Sequence, residues 1–192
     1  PSFPAKTVAE MIEAIRRNPG KYNYGSVGSG SPHQLFMETL KTQYGLTIQH
    51  VPYKGTPAAL TDLLGGNIQI MFSDATVAVP NIQAGKVTAL GTSAAKPTTL
   101  LASVPPIAAT VPGFDWQAWQ GIVAPAGTPK DIVMRLSDEL QKIQATPEFR
   151  EQLVKFGMDP FPPQTPDQFA AMIAAEQPLW AKAIKDSGAK VD

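Results

Sequence analysis

The sequence contains no cysteine, only two histidines, and no surplus of charge of either sign. The first absence excludes disulfides, cysteine nucleophiles and thiolate metal sites, and leaves the compartment open. His33 and His50 alone leave little for a zinc site, so no metal and no cofactor are expected. Lysine plus arginine equal aspartate plus glutamate at 16 each. With no basic excess to neutralise a phosphate backbone or an anionic membrane, nucleic acid is not an expected partner. No uninterrupted apolar stretch approaches the ~20 residues of a membrane span. The chain begins at Pro1 with neither a start methionine nor a signal-peptide pattern, and the expectation is that any targeting segment has been removed.

Proline, in contrast, is abundant, with nineteen in 192 residues. These prolines act largely as helix punctuation. Ser31-Pro32, Thr56-Pro57, Thr128-Pro129, Thr146-Pro147 and Thr165-Pro166 each offer a hydroxyl N-cap before a proline at the first helical position. Gln34 and Gln168 follow two of these caps at the spacing of a capping box, and Thr7 with Glu10 makes a third box without proline. Apolar stripes then mark six helices. The first carries Val8, Met11, Ile12 and Ile15, and the second carries Leu35, Phe36, Leu40 and Tyr44 up to Gly45. A third runs through Leu60, Leu63 and Leu64 to Gly65. A fourth carries Ile132, Val133, Leu136, Leu140 and Ile143, and a fifth Phe149, Leu153 and Phe156. The sixth carries Phe169, Met172, Ile173, Trp180 and Ile184, with a kink expected at Pro178.

Short β-type runs fall between the helices at 21–24, 47–51, 68–72, 87–91 and 116–123. Strands alternating with amphipathic helices predict an α/β fold with a mainly parallel sheet. Residues 97–115 carry four prolines and no clear period, which reads as a connector between a compact unit at 1–111 and a helix-rich part at 112–192.

The stretch "YGSVGSGSPH" at 24–33 supplies glycines that let a ligand approach the backbone, together with hydroxyls and a capped helix start. Such a strand, loop and helix start suits an anion. Gly25, Gly28 and Gly30 do not follow the dinucleotide spacing, and no Walker lysine follows. A tight turn without ligand is the competing reading. His33, in the first turn, either donates to a carboxylate or has no ligand role. In open α/β sheets ligands sit beyond the carboxyl ends of strands, so "VPYKGTPAAL" and "MFSDATV" are further candidates. The first places Tyr53, Lys54 and Gly55 at that edge, and the second places Asp74 there as a ligand contact or a helix cap. Thr92 and Ser93 follow a fourth β-type run.

With these motifs in place, the sequence resembles the substrate-binding receptors of tripartite tricarboxylate transporters, also called Bug receptors. The residues that carry the resemblance are "PGKYNYGSVGSGSPHQLFMETL", "IQHVPYKGTPAALTDLLGGNIQIMFSD", "GKVTALGTSAAKPTTLLASVPPIAATVPGFD" and "WQGIVAPAGTP". It implies a type II periplasmic-binding-protein-like fold, in which a small carboxylated solute sits between two lobes and is passed to membrane transporter subunits in the periplasm, without catalysis. Residues 1–111 would be the complete second lobe. Residues 112–192 would contribute to an incomplete first lobe whose N-terminal stretch is absent here. The resemblance assigns Ser26, Gly28, Ser29, Gly30, Ser31 and His33 to a carboxylate cradle, with Tyr53, Lys54 and Gly55 as its neighbouring wall. Asp74 would lie at the pocket floor, and Thr92 and Ser93 at the next strand end.

A ligand-sensing domain of a transcription regulator shares the same two-lobe topology, and a serine hydrolase would need a serine, a histidine and a carboxylate in register. Helices at 129–143 and 166–187 with part of their cover missing predict self-association of this chain.

Overall fold

The computed structural model describes residues 3–188. The outermost residues of the ranges 1–111 and 112–192, namely 1–2 and 189–192, lie outside the described residues. Three strands, β1 (Asn23–Ser26), β2 (Gln49–Pro52) and β3 (Ile70–Met71), form a parallel sheet in the order β2-β1-β3. Helix α1 (Val8–Arg17) precedes β1, α2 (Pro32–Tyr44) follows it, α3 (Thr56–Gly65) follows β2, and α4 (Ala75–Gln83) follows β3. The C-terminal part carries α5 (Lys130–Ala145), α6 (Pro147–Lys155) and α7 (Pro166–Ser187). The α/β architecture with a parallel sheet is thus the one expected from the alternation of capped helices and short apolar runs.

The core follows the first two predicted stripes, whereas the stripe residues expected on α3, α5 and α6 are not buried. Val8, Met11, Ile12 and Ile15 of α1 are all buried, as are Leu35, Phe36, Met37 and Leu40 of α2. Helix α2 ends where Gly45 adopts φ 62°, the left-handed conformation that closes a helix without a Cβ penalty. The ring of Phe36 meets those of Phe72, Phe114, Trp116 and Trp180, with centroids 5.4–6.5 Å apart. This aromatic cluster fastens the start of the C-terminal part, and α7, onto α2. Helix α7 begins in the predicted capping box of Thr165 and Gln168 and continues through Pro178.

Several expectations are corrected. The runs 87–91 and 116–123 form no strand. The first is followed by a single bridge, Thr92 to Pro106, and proline offers no N–H to extend a ladder. The second has no partner strand among the described residues, and Ile122 and Val123 are 72% and 75% exposed. Helix α4 was not expected, because its valines and internal Pro80 give no helical stripe. Thr56 and Thr128 do not cap: Thr56 is the first residue of α3 and donates to Asp74, while Thr128 Oγ1 donates to the Pro125 carbonyl. At Ser31 and Thr7 the cap hydroxyl bonds form, but the glutamine and glutamate reach one residue further back, to Gly30 N–H and Lys6 N–H. No helix among the described residues is long and apolar enough to cross a membrane.

Candidate functional site

All three strands run into helix starts at one edge of the sheet. The order β2-β1-β3 sends the chain to one side of β1 and then to the other, which opens a crevice between the segments that follow β1 and β3. Across it, His33 in the first turn of α2 meets Asp74 at the start of α4, with Nε2 and Oδ1 3.3 Å apart. Beside it, the Tyr53 N–H donates to the Ser26 carbonyl at 2.9 Å, tying the segment after β2 to the end of β1. The residues proposed from the three loops therefore share one edge.

The glycine loop is held from behind. The Ser26 residue is fully buried, and its hydroxyl donates to the Gly28 carbonyl at 3.0 Å and accepts from the Gly28 N–H at 3.2 Å. A third partner, His50 Nε2, lies 2.6 Å away. Gly30 N–H donates to Gln34 Oε1 at 2.7 Å. An N–H can only donate, so Gln34 must face Gly30 with its oxygen and turn its amide nitrogen to His50 Nδ1, 3.3 Å away. His50 Nδ1 is thus the acceptor, and its Nε2 carries the proton and donates to Ser26. The Ser26 oxygen thus makes three hydrogen bonds, and the Gly28 and Gly30 N–H groups both have acceptors.

Ser31 is likewise spent inward. Its hydroxyl donates to the Gly28 carbonyl at 2.7 Å and accepts the Gln34 N–H at 3.4 Å. Within the chain, Ser26 and Ser31 both direct their hydroxyls to the loop and to the start of α2. The N–H groups of Gly28 and Gly30 also point inward; their contribution is conformational, at φ 128° and 77°. Ser29, between them, is exposed, and neither its N–H nor its hydroxyl has a partner among the described residues. The first-turn N–H of His33 also has no partner among the described residues, so two donors stand at the positive end of α2.

The remaining candidates divide. The His33 ring is engaged by Asp74 and its Nδ1 is buried without a partner, so the imidazole is not presented to solvent. Asp74 sits at the N-cap of α4 but does not cap it; its carboxylate instead accepts from the Thr56 hydroxyl at 3.0 Å. The hydrogen bond from His33 lowers the Asp74 pKa, against the opposing effect of burial. Tyr53 donates its phenol to Asp62 at 2.7 Å, and its pKa is pushed up to about 12 by desolvation and then by Asp62. Lys54 is exposed and has no ion-pair partner among the described residues, and Gly55 is the N-cap residue that precedes α3. Thr92 exchanges backbone bonds with Pro105 and Ile107, and its hydroxyl is buried and unpartnered. Ser93 accepts the Trp116 N–H through its carbonyl. No hydrogen bond or ion pair joins Thr92 or Ser93 to the glycine loop.

Two residues that the motifs did not single out for this site, His50 and Gln34, prove to organise it. The signal for His50 was register, since it lies directly opposite Tyr24 in the sheet and stacks on its ring at 4.9 Å. Tyr24 in turn donates to Glu38, which also binds Lys41 at 2.7 Å, and burial with Glu38 raises the Tyr24 pKa. An open groove of about 370 Å³ flanks the loop, lined by Gly30, Pro32, Leu35, Trp119, Trp180 and neighbours. A larger depression, about 510 Å³ along α1, lies away from this edge and holds none of the candidate residues. Among the described residues no cluster suits a metal ion.

Residues 1–189 match the tripartite tricarboxylate transporter family receptor. The chain is 36% identical over 181 residues to the "UPF0065 protein in gbd 5'region" of Cupriavidus necator, covering 94% of this chain and 54% of that protein. It is 27% identical to "Protein BugT" of Bordetella pertussis over 192 residues, 59% of that protein. The chain thus spans little more than half the length of the curated relatives it matches. Among solved structures, it superposes on "R. palustris Rpa4515 with adipate" with a TM-score of 0.88 at 31% identity, over 98% of this chain and 63% of that one. It superposes on "Structure of periplasmic binding protein BugD" at 0.85 and 30% identity, over 98% and 64%.

Proposed function

The chain belongs to the tripartite tricarboxylate transporter receptor family and has the α/β fold of its periplasmic binding proteins, and from this we propose that it serves to capture a small carboxylate for a membrane transporter. The observation that carries this reading is the exposed Ser29, unpartnered at N–H and hydroxyl among the described residues, in the loop that leads into α2 beside the crevice. Hydrogen-bond donors at a helix N-terminus favour a carboxylate, and a hydrogen bond to a charged group is worth roughly 1.5–3 kcal/mol. Asp74 retains lone pairs and half of its side-chain surface, which suits a hydroxyl or ammonium elsewhere on the ligand.

A similar protein was solved with adipate, and another, MatC from Rhodopseudomonas palustris at 28% identity, with bound malate. Those diacids guide the choice of probe. In this reading residues 1–111 form one lobe and 112–192 contribute to the other, the solute lies in the cleft between them, and the setting is the periplasm. Catalysis plays no part: with Nδ1 accepting from Gln34, His50 presents a proton rather than a lone pair to Ser26 and is not its base.

A thermal-shift comparison of adipate, malate and the uncharged diamide of adipate tests the proposal. A ligand at 100 times its Kd stabilises by roughly 2.7 kcal/mol. The expected result is a rise in melting temperature with a diacid and none with the diamide. Equal shifts with acid and amide, or none with any carboxylate at saturating concentration, would overturn it.

A further inference from the structure

Gln34 stands between two groups and can satisfy them both in only one arrangement. Its oxygen takes the Gly30 N–H and its amide nitrogen gives to His50 Nδ1. We propose that His50 is the positioning residue of the glycine loop, and that the loop holds its carboxylate-binding form only while His50 is neutral and carries its proton on Nε2. The inference rests on the reading of that loop as the carboxylate seat.

The reason is a count of donors. A protonated imidazole donates from both nitrogens. Gln34 would then face two donors, His50 Nδ1–H and Gly30 N–H, with a single carbonyl oxygen. With its oxygen toward Gly30 the amide nitrogen opposes Nδ1–H, and with its oxygen toward His50 it opposes the Gly30 N–H, so one part-buried donor loses its acceptor either way. Gln34 is itself buried at 7% exposure, which limits rescue by water. If Gln34 turns to the imidazole, Gly30 is released and Ser29 loses its fixed position. The charged groups facing the imidazole are Glu38 and Lys41 of α2. Glu38 is already bonded to Tyr24 and Lys41, and no hydrogen bond joins it to His50, so it does not substitute for the missing acceptor. The Tyr24 ring covers one imidazole face. Burial also holds the His50 pKa below its ordinary value, with Lys41 acting in the same direction and Glu38 against it.

The sign of this effect separates it from simple electrostatics. A cation forming near an anion seat ordinarily strengthens anion binding, so affinity would rise as His50 protonates. The donor count requires the opposite: acid weakens carboxylate capture, and by reciprocity a bound carboxylate lowers the His50 pKa.

The test uses the 192-residue chain labelled with nitrogen-15 and adipate as probe. Imidazole nitrogen shifts should show the Nε2–H tautomer at pH 7.5, and the Gly28 and Gly30 amides should move with the same midpoint as His50 on acidification. The adipate Kd should rise about elevenfold one pH unit below that midpoint, where one molecule in eleven is competent. In His50→Gln this pH dependence should vanish, leaving only the ionisation of adipate itself. In Gln34→Glu, whose second oxygen accepts from a protonated imidazole, the midpoint should rise and affinity should no longer fall with it. An Nδ1–H tautomer, glycine amides indifferent to His50 protonation, or affinity that rises as His50 protonates would each overturn the proposal. Glycine amides that follow His50 while neither adipate nor malate moves the Ser29 amide would leave His50 as the positioning residue of the loop and remove the carboxylate seat.

Discussion

His33 Nε2 lies 3.3 Å from Asp74 Oδ1, so the helix start after β1 and the helix start after β3 are joined across the crevice of the sheet. The same carboxylate accepts from Thr56, at the start of the helix after β2. One side chain therefore ties the three loops of the candidate site together.

Replacing Asp74 by alanine should strand the buried Thr56 hydroxyl and the His33 imidazole, at a cost of about 1 kcal/mol because half of the Asp74 side chain is open to water. Urea denaturation measures it. The sign with pH follows from the lowered Asp74 pKa. The contribution is fully present above the unfolded carboxylate value of about 3.9 and is lost as pH falls through the folded value. The stability gap between wild type and Asp74→Asn should therefore close below about pH 4. A gap that persists or widens in acid would show that Asp74 does not act as a charged acceptor.

Ser29 and Ser31 should separate affinity from stability. Ser29→Ala removes an outward hydroxyl and should weaken carboxylate binding about tenfold or more, as expected for one hydrogen bond to a charged group, with little change in denaturation midpoint. Ser31→Ala removes the cap of α2 and a bond to Gly28, and should cost on the order of 1 kcal/mol of stability. Calorimetric titration beside urea melts distinguishes them. Equal losses of both kinds in both variants would mean the loop is not divided into outward and inward serines.

Gly157 should be the least replaceable of the left-handed glycines in the C-terminal part. Its φ is 69°, and a Cβ there would lie 2.7 Å from Thr76 N and 2.8 Å from Ala75 C, backbone atoms at the start of α4. Two residues on, Asp159 accepts from the Thr98 and Thr99 hydroxyls. Gly157→Ala should push this segment off α4 and cost well beyond the roughly 1–2 kcal/mol of a left-handed residue alone. Gly127→Ala, at φ 85° with nothing within 4 Å, is the control and should cost only that backbone amount. Similar melts for the two variants would contradict the contact.

Apolar side chains stand open in the C-terminal part: Phe156 and Leu179 are 60% and 59% exposed, in addition to Ile122 and Val123. Exposed apolar surface of this kind favours association. Light scattering of this chain should give a mass that rises with concentration, and salt should strengthen rather than weaken it. A strictly monomeric mass across the concentration range would count against this.

Much of the fold was legible in the sequence because capping is local chemistry. Thr7, Ser31, Thr146 and Thr165 cap as their spacing predicts, and the α1 stripe is buried residue for residue. What failed depended on distant partners. Residues 116–123 have strand-like composition, but β-propensity describes a side chain that fits a pleated surface and does not supply a neighbouring strand. Thr56 looks like a cap until Asp74, eighteen residues on, takes its hydroxyl. The same limit applied at the site. The glycine loop was visible as a motif, but which serine faces outward is set by His50 and Gln34, and their bonds to Ser26 and Gly30 join β2, α2 and the loop in three dimensions.

The most direct test of the carboxylate seat is an amide nitrogen-15 titration of this chain with adipate at pH 7.5. Saturable shifts should be largest at Ser29 and His33, the two outward donors at the start of α2. Thr92 and Ser93, which share no bond with the loop, should stay still. Shifts centred on the groove at Trp119 and Trp180, or on the segment at 92–93, with Ser29 unmoved, would contradict the account.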